Sequence, residues 1–485
     1  MSVLEVINDT VASINGVINT YAWYIAFVFL IGIGLYFTIK SRGVQINRLG
    51  ESCRVAFTGI RAQKGKQTIS SFQAFCVSMG ARIGVGNIAG VAVAIVMGGP
   101  GAIFWMWIFA FIGAATSFVE TTVGQIYKEK KADGQYHGGP AFYIKNGLGK
   151  PKFAAFIAIL IIFTYGLMFI GVQANTATLA FSNAFGTDQI VFAVIITVLA
   201  ALVVFGGIKR VAKVSTWLVP AMAILWLVLC LIIVLVNFTQ VSLVIQTIFS
   251  YAFGVQAFVG GGVGAAIMWG LKRGVFSNEA GIGSIPNVSS SAEVKHPVKQ
   301  GLMQSVGVLI DTIVVCSATA FVVIIYTNVA YPGYAGIPVS GAALVQEAMS
   351  STFLGIAGPY IIAAFMLVFA FSSLISYYSM SETNTKFLTN KKGAVVVLRC
   401  AIVIMVFIAS MMSMGLAWDL ADTFQAFMGI FNMGVLLLLG KHAFEALKDY
   451  FDQKADGVEE PVFHASCLSD TKGVTCWSDN EEEKK

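Results

Sequence analysis

Two glycine-rich segments of this sequence could expose backbone groups that bind charged ligands. Segment 80–101 contains seven glycines, and segment 254–283 contains nine, including a Gly-Gly-Gly-Val-Gly run at 260–264. A lone G-x-G would more often mark close helix packing, but each added glycine weakens a helix by roughly 1 kcal/mol. Where a helix unwinds, freed N–H groups can bind a carboxylate, and freed carbonyl oxygens can bind an ammonium group or Na⁺.

Three ionisable residues lie inside or beside apolar segments, where a charge is a functional candidate by default. Asp311 has hydroxyl neighbours at Thr312, Ser317 and Thr319, which favours a role in cation coupling or gating. For Glu120 and Arg82, a coupling or gating role and a buried structural or interfacial role remain equal alternatives.

Uncharged polar residues form two further candidate groups. Gln173 and Asn175 lie together in one apolar segment. Hydrogen bonds of such side chains between membrane helices stabilise helix packing by only about 0.6 kcal/mol each. A position facing a cavity is therefore plausible for them. Ser372 and Ser373 are adjacent in another apolar segment. Their hydroxyls suit a small hard cation, but they could also bond to carbonyls of their own helix.

The composition indicates that these residues are held by membrane helices. Hydrophobic residues make up 57% of the 485 residues and charged residues only 12%, which excludes a disordered chain or a disulfide-stapled secreted fold. About 20 apolar residues span a bilayer as a helix. Eleven segments meet this condition: 21–39, 70–97, 101–127, 153–182, 189–208, 214–236, 245–271, 302–327, 357–380, 394–413 and 419–440.

The loops between these segments alternate in charge. Segments 1–20, 98–101, 183–188, 237–244, 328–356 and 414–418 contain no Lys or Arg. The intervening loops carry the basic residues, including Lys272 and Arg273 after the seventh segment. The positive-inside rule therefore predicts an external N-terminus and a cytoplasmic C-terminus. Topology accounts for the net charge of +6, so no nucleic-acid partner is expected, and residues 441–485 are interpreted as a partly disordered cytoplasmic tail.

The glycine-rich breaks fall in the second and seventh segments, five apart. An odd offset places two helices in opposite directions across the membrane, which predicts an inverted five-plus-five repeat with both breaks at the midplane. The repeats would cover 70–236 and 245–440, with 21–39 as an additional N-terminal helix. This arrangement favours a transporter over a channel. The absence of H-E-x-x-H and G-x-S-x-G motifs argues against a membrane enzyme, and no cofactor is expected.

Several longer motifs resemble those of the alanine or glycine:cation symporter family, the sodium:alanine symporters. The resemblance runs from about residue 20 to residue 445. The motifs are Gly84-Val85-Gly86-Asn87-Ile88-Ala89-Gly90, Gly98-Gly99-Pro100-Gly101-Ala102-Ile103-Phe104-Trp105-Met106-Trp107, Gly138-Gly139-Pro140, Gly274-Val275-Phe276-Ser277-Asn278-Glu279-Ala280-Gly281, His296-Pro297-Val298-Lys299-Gln300-Gly301 and Trp418-Asp419-Leu420-Ala421-Asp422.

The resemblance implies an all-α fold of the leucine-transporter-like superfamily, located in a bacterial-type plasma membrane. It also implies symport of alanine or glycine with Na⁺, or in some members with H⁺. A passive facilitator of the same fold remains an alternative. Neither the oligomeric state nor the choice between alanine and glycine follows from it.

The resemblance also implies roles for particular residues. The substrate carboxylate would meet the N–H groups of Val85 and Gly86, its ammonium group would meet carbonyls near the second break, and Na⁺ would be bound by carbonyls and hydroxyls. The implied substrate-site residues are Val85, Gly86, Asn87, Gln173, Asn175, Val259, Gly260 and Gly261. The implied sodium ligands are Gly80, Ile83, Ser372 and Ser373.

The sequence departs from the family pattern at Arg82 and Val85, where many members carry hydroxyl residues. A positive charge at position 82 could replace a cation, weaken sodium coupling or point to the cytoplasm. Val85 would contribute backbone, so its departure affects the substrate site less.

Overall fold

The computed structural model describes residues 3–58, 69–131, 134–206, 208–254 and 262–477, and these residues are mostly helical. The α-helices are α1 (Val3–Lys40), α2 (Val44–Asn47), α3 (Leu49–Thr58), α4 (Ser71–Arg82), α5 (Ala89–Gly98), α6 (Gly101–Ile126), α7 (Pro140–Gly147), α8 (Pro151–Phe163), α9 (Ile170–Phe185), α10 (Gln189–Val204), α11 (Ile208–Val236), α12 (Val241–Ala252), α13 (Gly262–Asn278), α14 (Pro286–Ser289), α15 (Pro297–Leu309), α16 (Ser317–Ala330), α17 (Ala342–Ser350), α18 (Gly358–Leu388), α19 (Lys392–Ser410) and α20 (Met414–Ala455). Two π-helical turns, Thr164–Phe169 and Ile310–Cys316, join α8 to α9 and α15 to α16. Strands β1 (Glu129–Lys130) and β2 (Tyr136–His137) form an antiparallel hairpin.

Eight helices among the described residues are long and apolar enough to cross a bilayer. They are Thr10–Lys40, Gly101–Ile126, Pro151–Phe185, Ser215–Val236, Pro297–Ala330, Gly355–Leu388, Lys392–Ser410 and Met414–Ala455. Each coincides with one of the eleven predicted spans. The other three predictions fall on shorter helices: 70–97 on α4 and α5, 189–208 on α10, and 245–271 on parts of α12 and α13. Large apolar side chains such as Trp217, Leu202 and Val397 are exposed on the outside of the bundle, as lipid contact requires.

The first glycine-rich break lies where the sequence predicts it. Helix α4 begins with a capping box, in which Ser70 and Gln73 satisfy each other's backbone N–H groups. The helix ends at Arg82, and the 3-10 turn Val85–Asn87 follows before α5 begins at Ala89. The predicted span is therefore two half-helices joined by a non-helical segment.

The described residues show a second break after α13. Val259, Gly260 and Gly261, where the sequence predicts this break, fall outside the described residues. Within the predicted span 245–271, α12 ends at Ala252, and α13 begins at Gly262 and extends beyond the predicted end to Asn278. Helical geometry is lost after Asn278, where Glu279, Gly281 and Gly283 have positive φ values of 57°, 83° and 73°. The short helix α14 follows this loop.

The two half-helices α5 and α13 run antiparallel. Gly98, at the end of α5, lies against Ala265 and Trp269 near the start of α13. At the opposite end of α13, the Asn278 carbonyl accepts a hydrogen bond of 2.8 Å from Arg82 Nε. Both breaks therefore lie at one level inside the bundle.

The two ends of the bundle are named here after a residue at each. The Gly99 end includes the α5–α6 turn and the start of α20, and the Lys128 end includes the α6–α7 loop and the end of α20. The basic loops gather at the Lys128 end, where Lys128 donates to Ala292 O at 3.0 Å and Lys145 lies over the Phe387 ring.

The prediction that Lys272 and Arg273 lie in a basic loop is wrong. Both residues are buried within α13, on the Gly99 side of the break, rather than in a basic loop. Lys272 Nζ donates to Asn19 Oδ1 at 2.8 Å, which ties α13 to the first helix. The predicted seventh span ends at residue 271, whereas α13 continues to Asn278, which explains why these two residues were expected in a loop.

Most of the predicted C-terminal tail is ordered against the Lys128 end. Residues 441–455 extend α20, and residues 456–477 fold back beneath the bundle. Phe463 is buried and its N–H donates to Lys295 O at 3.0 Å. Trp477 Nε1 donates to Gln125 O at 3.0 Å, and its ring lies under the Lys128 ammonium group.

Candidate functional site

The first break presents backbone N–H groups that are held by two amide side chains. Gly84 N–H donates to Asn87 Oδ1 at 2.9 Å, and Val85 N–H donates to Gln173 Oε1 at 3.1 Å. Gln173 is on α9, so this contact brings α9 against the break. A Cβ on Gly84 would overlap with the Ser373 hydroxyl and lie 3.0 Å from Gln173 Oε1, so glycine leaves room for both side chains.

The two adjacent serines of α18 point their hydroxyls at carbonyls that end α4. Ser372 Oγ lies 3.2 Å from Ile83 O and 3.4 Å from Gly80 O. Ser373 Oγ lies 3.0 Å from Gly80 O. The structure thus brings together the four residues that the resemblance assigns to Na⁺, all of them buried. The last carbonyls of a helix have no partner within it, which is why these oxygens are available.

Ser372 also makes the contact within its own helix that the alternative interpretation of the serines requires, since its Oγ lies 2.9 Å from Phe369 O. Ser373 Oγ has a further contact with α4, at 3.4 Å from Ala81 O. Each hydroxyl has one proton to donate. The two hydroxyls therefore face more carbonyl oxygens than they can satisfy.

Asp311 connects the two broken helices. It accepts hydrogen bonds from Asn87 Nδ2 at 2.6 Å and from Ser277 Oγ at 2.7 Å, so it joins the first break to the end of α13. Thr312 Oγ1 adds a third bond at 3.0 Å. Asp311 belongs to the π-helical turn Ile310–Cys316, and such turns often occur at functional sites. Asp311, which the sequence predicts as a coupling or gating residue, therefore lies between the two breaks and contacts both.

Arg82 links the end of α4 to three neighbouring helices through buried hydrogen bonds. Its guanidinium donates to Asn278 O, to Gln304 Oε1 at 2.8 Å and to Ser117 Oγ at 2.9 Å. The side chain is 1% exposed, so it does not point to the cytoplasm, and these three bonds direct it to α6, α13 and α15. A Cβ on Gly307 would collide with Arg82 Nη1, so a glycine on α15 leaves room for the guanidinium.

Two more buried carboxyl groups lie beside the second break. Glu120 Oε2 accepts from Asn432 Nδ2 at 3.1 Å and from Gly283 N–H at 3.4 Å. Glu279 Oε1 accepts from Tyr377 Oη at 2.6 Å. The family resemblance includes Glu279 in a motif but assigns it no role in the site. The signal that points to it is an ionisable residue inside a glycine-rich motif.

Asn175 lies away from the two breaks. Its Nδ2 donates to Ala409 O and Met412 O, both at 2.8 Å, and so caps the end of α19. Thr176, the next residue, instead lines a cavity of about 150 Å³ at the Gly99 end, together with Asn183 and Met414. Of the predicted polar pair on α9, only Gln173 contacts the first break.

A buried ion pair lies on the Gly99 side of the breaks. Arg273 Nη2 on α13 contacts Asp422 Oδ2 on α20, and both side chains are 1% exposed. The Arg273 guanidinium lies 4.6 Å from the Trp418 ring centroid, and a Cβ on Gly90 would touch the same ring. The charge pattern of the sequence predicts Arg273 in a loop and therefore does not reveal this pair.

Comparison with known proteins identifies the family of this chain. The model of the sodium:alanine symporter family matches residues 5–465. The chain belongs to this family. It is 43% identical to the probable sodium/glutamine symporter GlnT of Bacillus subtilis, over 96% of this chain and 95% of that protein. It is 36% identical to the sodium/alanine symporter AgcS of Methanococcus maripaludis, over 89% of this chain and 95% of that protein.

The fold agrees with the family assignment. The structure is similar to MhsT, solved in complex with L-phenylalanine, with a TM-score of 0.52 at 14% identity over 87% of this chain and 95% of that one. At this identity the likeness shows the leucine-transporter-like fold alone. The protein is therefore a multi-pass membrane transporter, not an enzyme, and family membership makes it a symporter for amino acids.

Proposed function

We propose that this protein imports a small neutral amino acid, alanine or glycine, together with Na⁺ by alternating access. The observation that carries the proposal is the convergence of Gly80 O, Ile83 O and the hydroxyls of Ser372 and Ser373 beside the first break. Hard cations such as Na⁺ prefer oxygen ligands of these kinds, and unwound carbonyls hold Na⁺ in transporters of broken-helix design.

The balance of protons and oxygens supports cation binding. The Ser372 and Ser373 hydroxyls carry two protons, but three carbonyl oxygens at the end of α4, Gly80 O, Ala81 O and Ile83 O, lie within 3.5 Å of them. Ser372 Oγ also contacts Phe369 O, which lies within α18 and already accepts a helix N–H. An unpaired oxygen in a dry interior costs free energy. A bound cation would satisfy the surplus of lone pairs that the hydroxyl protons leave.

The substrate site is proposed at the same break. The amino-acid carboxylate would take the place of Gln173 Oε1 at Val85 N–H and would also meet Gly86 N–H. A Cβ on Gly86 would lie 3.0 Å from the Phe276 ring, so this wall leaves little room for a large side chain. The ammonium group would meet carbonyls at the end of α13, where the observed break begins.

The eleven-span, five-plus-five topology remains part of the proposal. The antiparallel half-helices α5 and α13 support it, since an inverted repeat places its broken helices in this way. The basic loops at the Lys128 end support a cytoplasmic location for that end under the positive-inside rule. The N-terminus would then be external, the C-terminus cytoplasmic, and the cavity at Thr176 would open to the outside.

Uptake by proteoliposomes tests the coupling. The panel would contain radiolabelled alanine, glycine and glutamine, each under separate inward Na⁺ and H⁺ gradients. Accumulation of alanine or glycine that requires the Na⁺ gradient is expected. Accumulation with the H⁺ gradient alone would indicate proton coupling, equilibration without accumulation would indicate a facilitator, and exclusive uptake of glutamine would overturn the substrate assignment.

Ser373→Ala tests the proposed cation site directly, because it removes one oxygen ligand. It should raise the Na⁺ concentration for half-maximal uptake while leaving expression intact. Ser381→Ala is a matched control, since Ser381 is buried on the same helix and bonds Tyr377 O at 2.9 Å. Equal Na⁺ dependence in both variants would contradict the site.

A further inference from the structure

A basic cleft lies at the Lys128 end, between the end of α1 and the end of α20. Its volume is about 620 Å³, and its lining includes Lys40, Arg42, Arg48, Phe444, Lys448 and Phe451. It is separate from the two breaks, and neither the proposed substrate site nor the proposed cation site uses these residues.

The cleft concentrates positive charge that no ion pair among the described residues neutralises. Among the described residues, Lys40, Arg42, Arg48 and Lys448 form no ion pair within 4 Å. Asp452 is the acidic residue in the lining, so four cations and one acid leave a net charge of +3. Like charges so close repel one another, and an anion in the cleft would relieve this repulsion.

The local fold holds these charges in place. The chain reverses at Arg42 and Gly43, which both have positive φ values, 55° and 66°. Gly43 N–H donates to Thr38 O at 2.8 Å, and Asn47 Nδ2 donates to Arg42 O at 2.5 Å. A positive φ is uncommon for arginine, yet the reversal keeps Arg42 and Arg48 on one side of the cleft.

Apolar surface adjoins the charged cleft. The Arg48 guanidinium lies 3.9 Å from the Phe451 ring centroid. On α1, Leu35, Tyr36 and Ile39 precede Lys40 and are exposed, Ile39 by 74%. Helix α1 is long and apolar enough to cross a bilayer, and a spanning α1 would place Lys40, at its end, at the headgroup level. The site therefore offers cations to a headgroup and an apolar face to acyl chains.

We propose that this cleft binds the headgroup phosphate of an anionic phospholipid, with its acyl chains along the exposed face of α1. Clusters of Lys and Arg at the cytoplasmic ends of membrane helices recognise anionic headgroups. A free phosphate shares the charge but would gain nothing from the face that Leu35 and Ile39 expose. The bound lipid would hold α1, which lies outside the proposed repeats, against α20.

The test measures lipid binding to the delipidated full-length protein in a non-ionic detergent. Native mass spectrometry counts the bound molecules, and the thermal unfolding midpoint gives an independent readout. The probes are dioleoyl phosphatidylglycerol, dioleoyl phosphatidylcholine and inorganic phosphate. Phosphatidylglycerol is expected to bind and raise the midpoint, whereas phosphatidylcholine and inorganic phosphate are not. Equal stabilisation by inorganic phosphate would show a site for soluble anions and overturn the lipid assignment.

Two pairs of substitutions locate the site. Arg42→Gln with Arg48→Gln should lower the affinity for phosphatidylglycerol about ten-fold or more, since each basic residue near a headgroup contributes about 1 kcal/mol. Lys40→Gln with Lys448→Gln provides an independent pair if the first destabilises the turn. Lys391→Gln with Lys392→Gln is the control, because it removes the same charge from exposed residues outside the cleft. Equal loss of affinity in the control pair would overturn the proposal.

Discussion

Gly84→Ala tests the proposed cation site by adding a single methyl group. The backbone of Gly84 is extended, with φ −137° and ψ −160°, so alanine can adopt it without strain. The new Cβ would instead overlap the Ser373 hydroxyl oxygen, closer by about 1 Å than the ordinary separation of about 3.5 Å. Either Ser373 or the chain at Gly84 must therefore move away from the carbonyls of α4.

The size of the effect follows from the packing. Forcing one extra methylene into a close-packed site costs about 1–3 kcal/mol, and the displaced atoms are proposed Na⁺ ligands. If the cation-bound state bears this cost, the Na⁺ concentration for half-maximal uptake should rise about ten-fold to a hundred-fold. Uptake in proteoliposomes over a series of Na⁺ concentrations measures this shift directly.

Gly32→Ala is the matched control for this substitution. Gly32 lies in α1, and a Cβ there would meet no atom within 4 Å. Alanine should stabilise the helix by up to about 1 kcal/mol and leave Na⁺ dependence unchanged. Combining Gly84→Ala with Ser373→Ala should remove the overlap and restore stability, but not Na⁺ dependence. A wild-type Na⁺ response in the Gly84→Ala protein would refute the reasoning.

Three other expectations concern charged residues. Arg82→Gln should lower thermal stability markedly, because the shorter glutamine side chain cannot reach all three buried acceptors of Arg82 and each acceptor left unpaired costs about 1–3 kcal/mol. A stable variant with altered ion selectivity would instead place Arg82 in the ion site. Asp422→Asn should lower the unfolding free energy by about 3–5 kcal/mol, because it leaves Arg273 buried without its counter-charge. Adding Arg273→Met should recover part of that loss. Additive losses in the double variant would contradict this coupling. Partial burial raises the pKa of Glu129, but hydrogen bonds from Lys131 and other neighbours lower it to about 2. Its stabilising contribution, below about 1 kcal/mol, should be present above pH 4.5 and lost as the pH falls toward 2, and Glu129→Gln should flatten that part of a stability–pH curve; an unchanged slope would count against it.

Sequence patterns predicted the elements that depend on local composition. Eight predicted spans coincide with long apolar helices, and the first break lies at Gly84–Asn87 as expected. Hydrophobic length and glycine content are local properties, so they can be counted along the chain. The convergence of Ser372 and Ser373 on α4 followed from the family resemblance rather than from spacing, because it joins residues about 290 positions apart.

The glycine-rich segment 254–283 shows why glycine content alone does not locate a discontinuity. Gly270 lies within α13, and a Cβ there would lie 2.7 Å from Ala102 O and from the Trp105 side chain. This glycine allows close packing of α13 against α6 and does not interrupt the helix. The chain leaves helical geometry at Glu279, a non-glycine residue with φ 57°. A backbone conformation of this kind depends on tertiary contacts, which no count of residues along the chain reveals.

The contacts of Tyr377 and Asp311 give the two breaks a physical connection. Tyr377 Oη lies 3.1 Å from Ala81 O and 2.6 Å from Glu279 Oε1, but it has one proton to donate. Donation to Glu279 leaves the Ala81 carbonyl, next to the Ser373 hydroxyl, without that donor. Asp311 makes the parallel connection, from Asn87 in the first break to Ser277 at the end of α13. A cation that moves the carbonyls of α4 would therefore change hydrogen bonds at the second break, which is what coupled binding of ion and substrate requires.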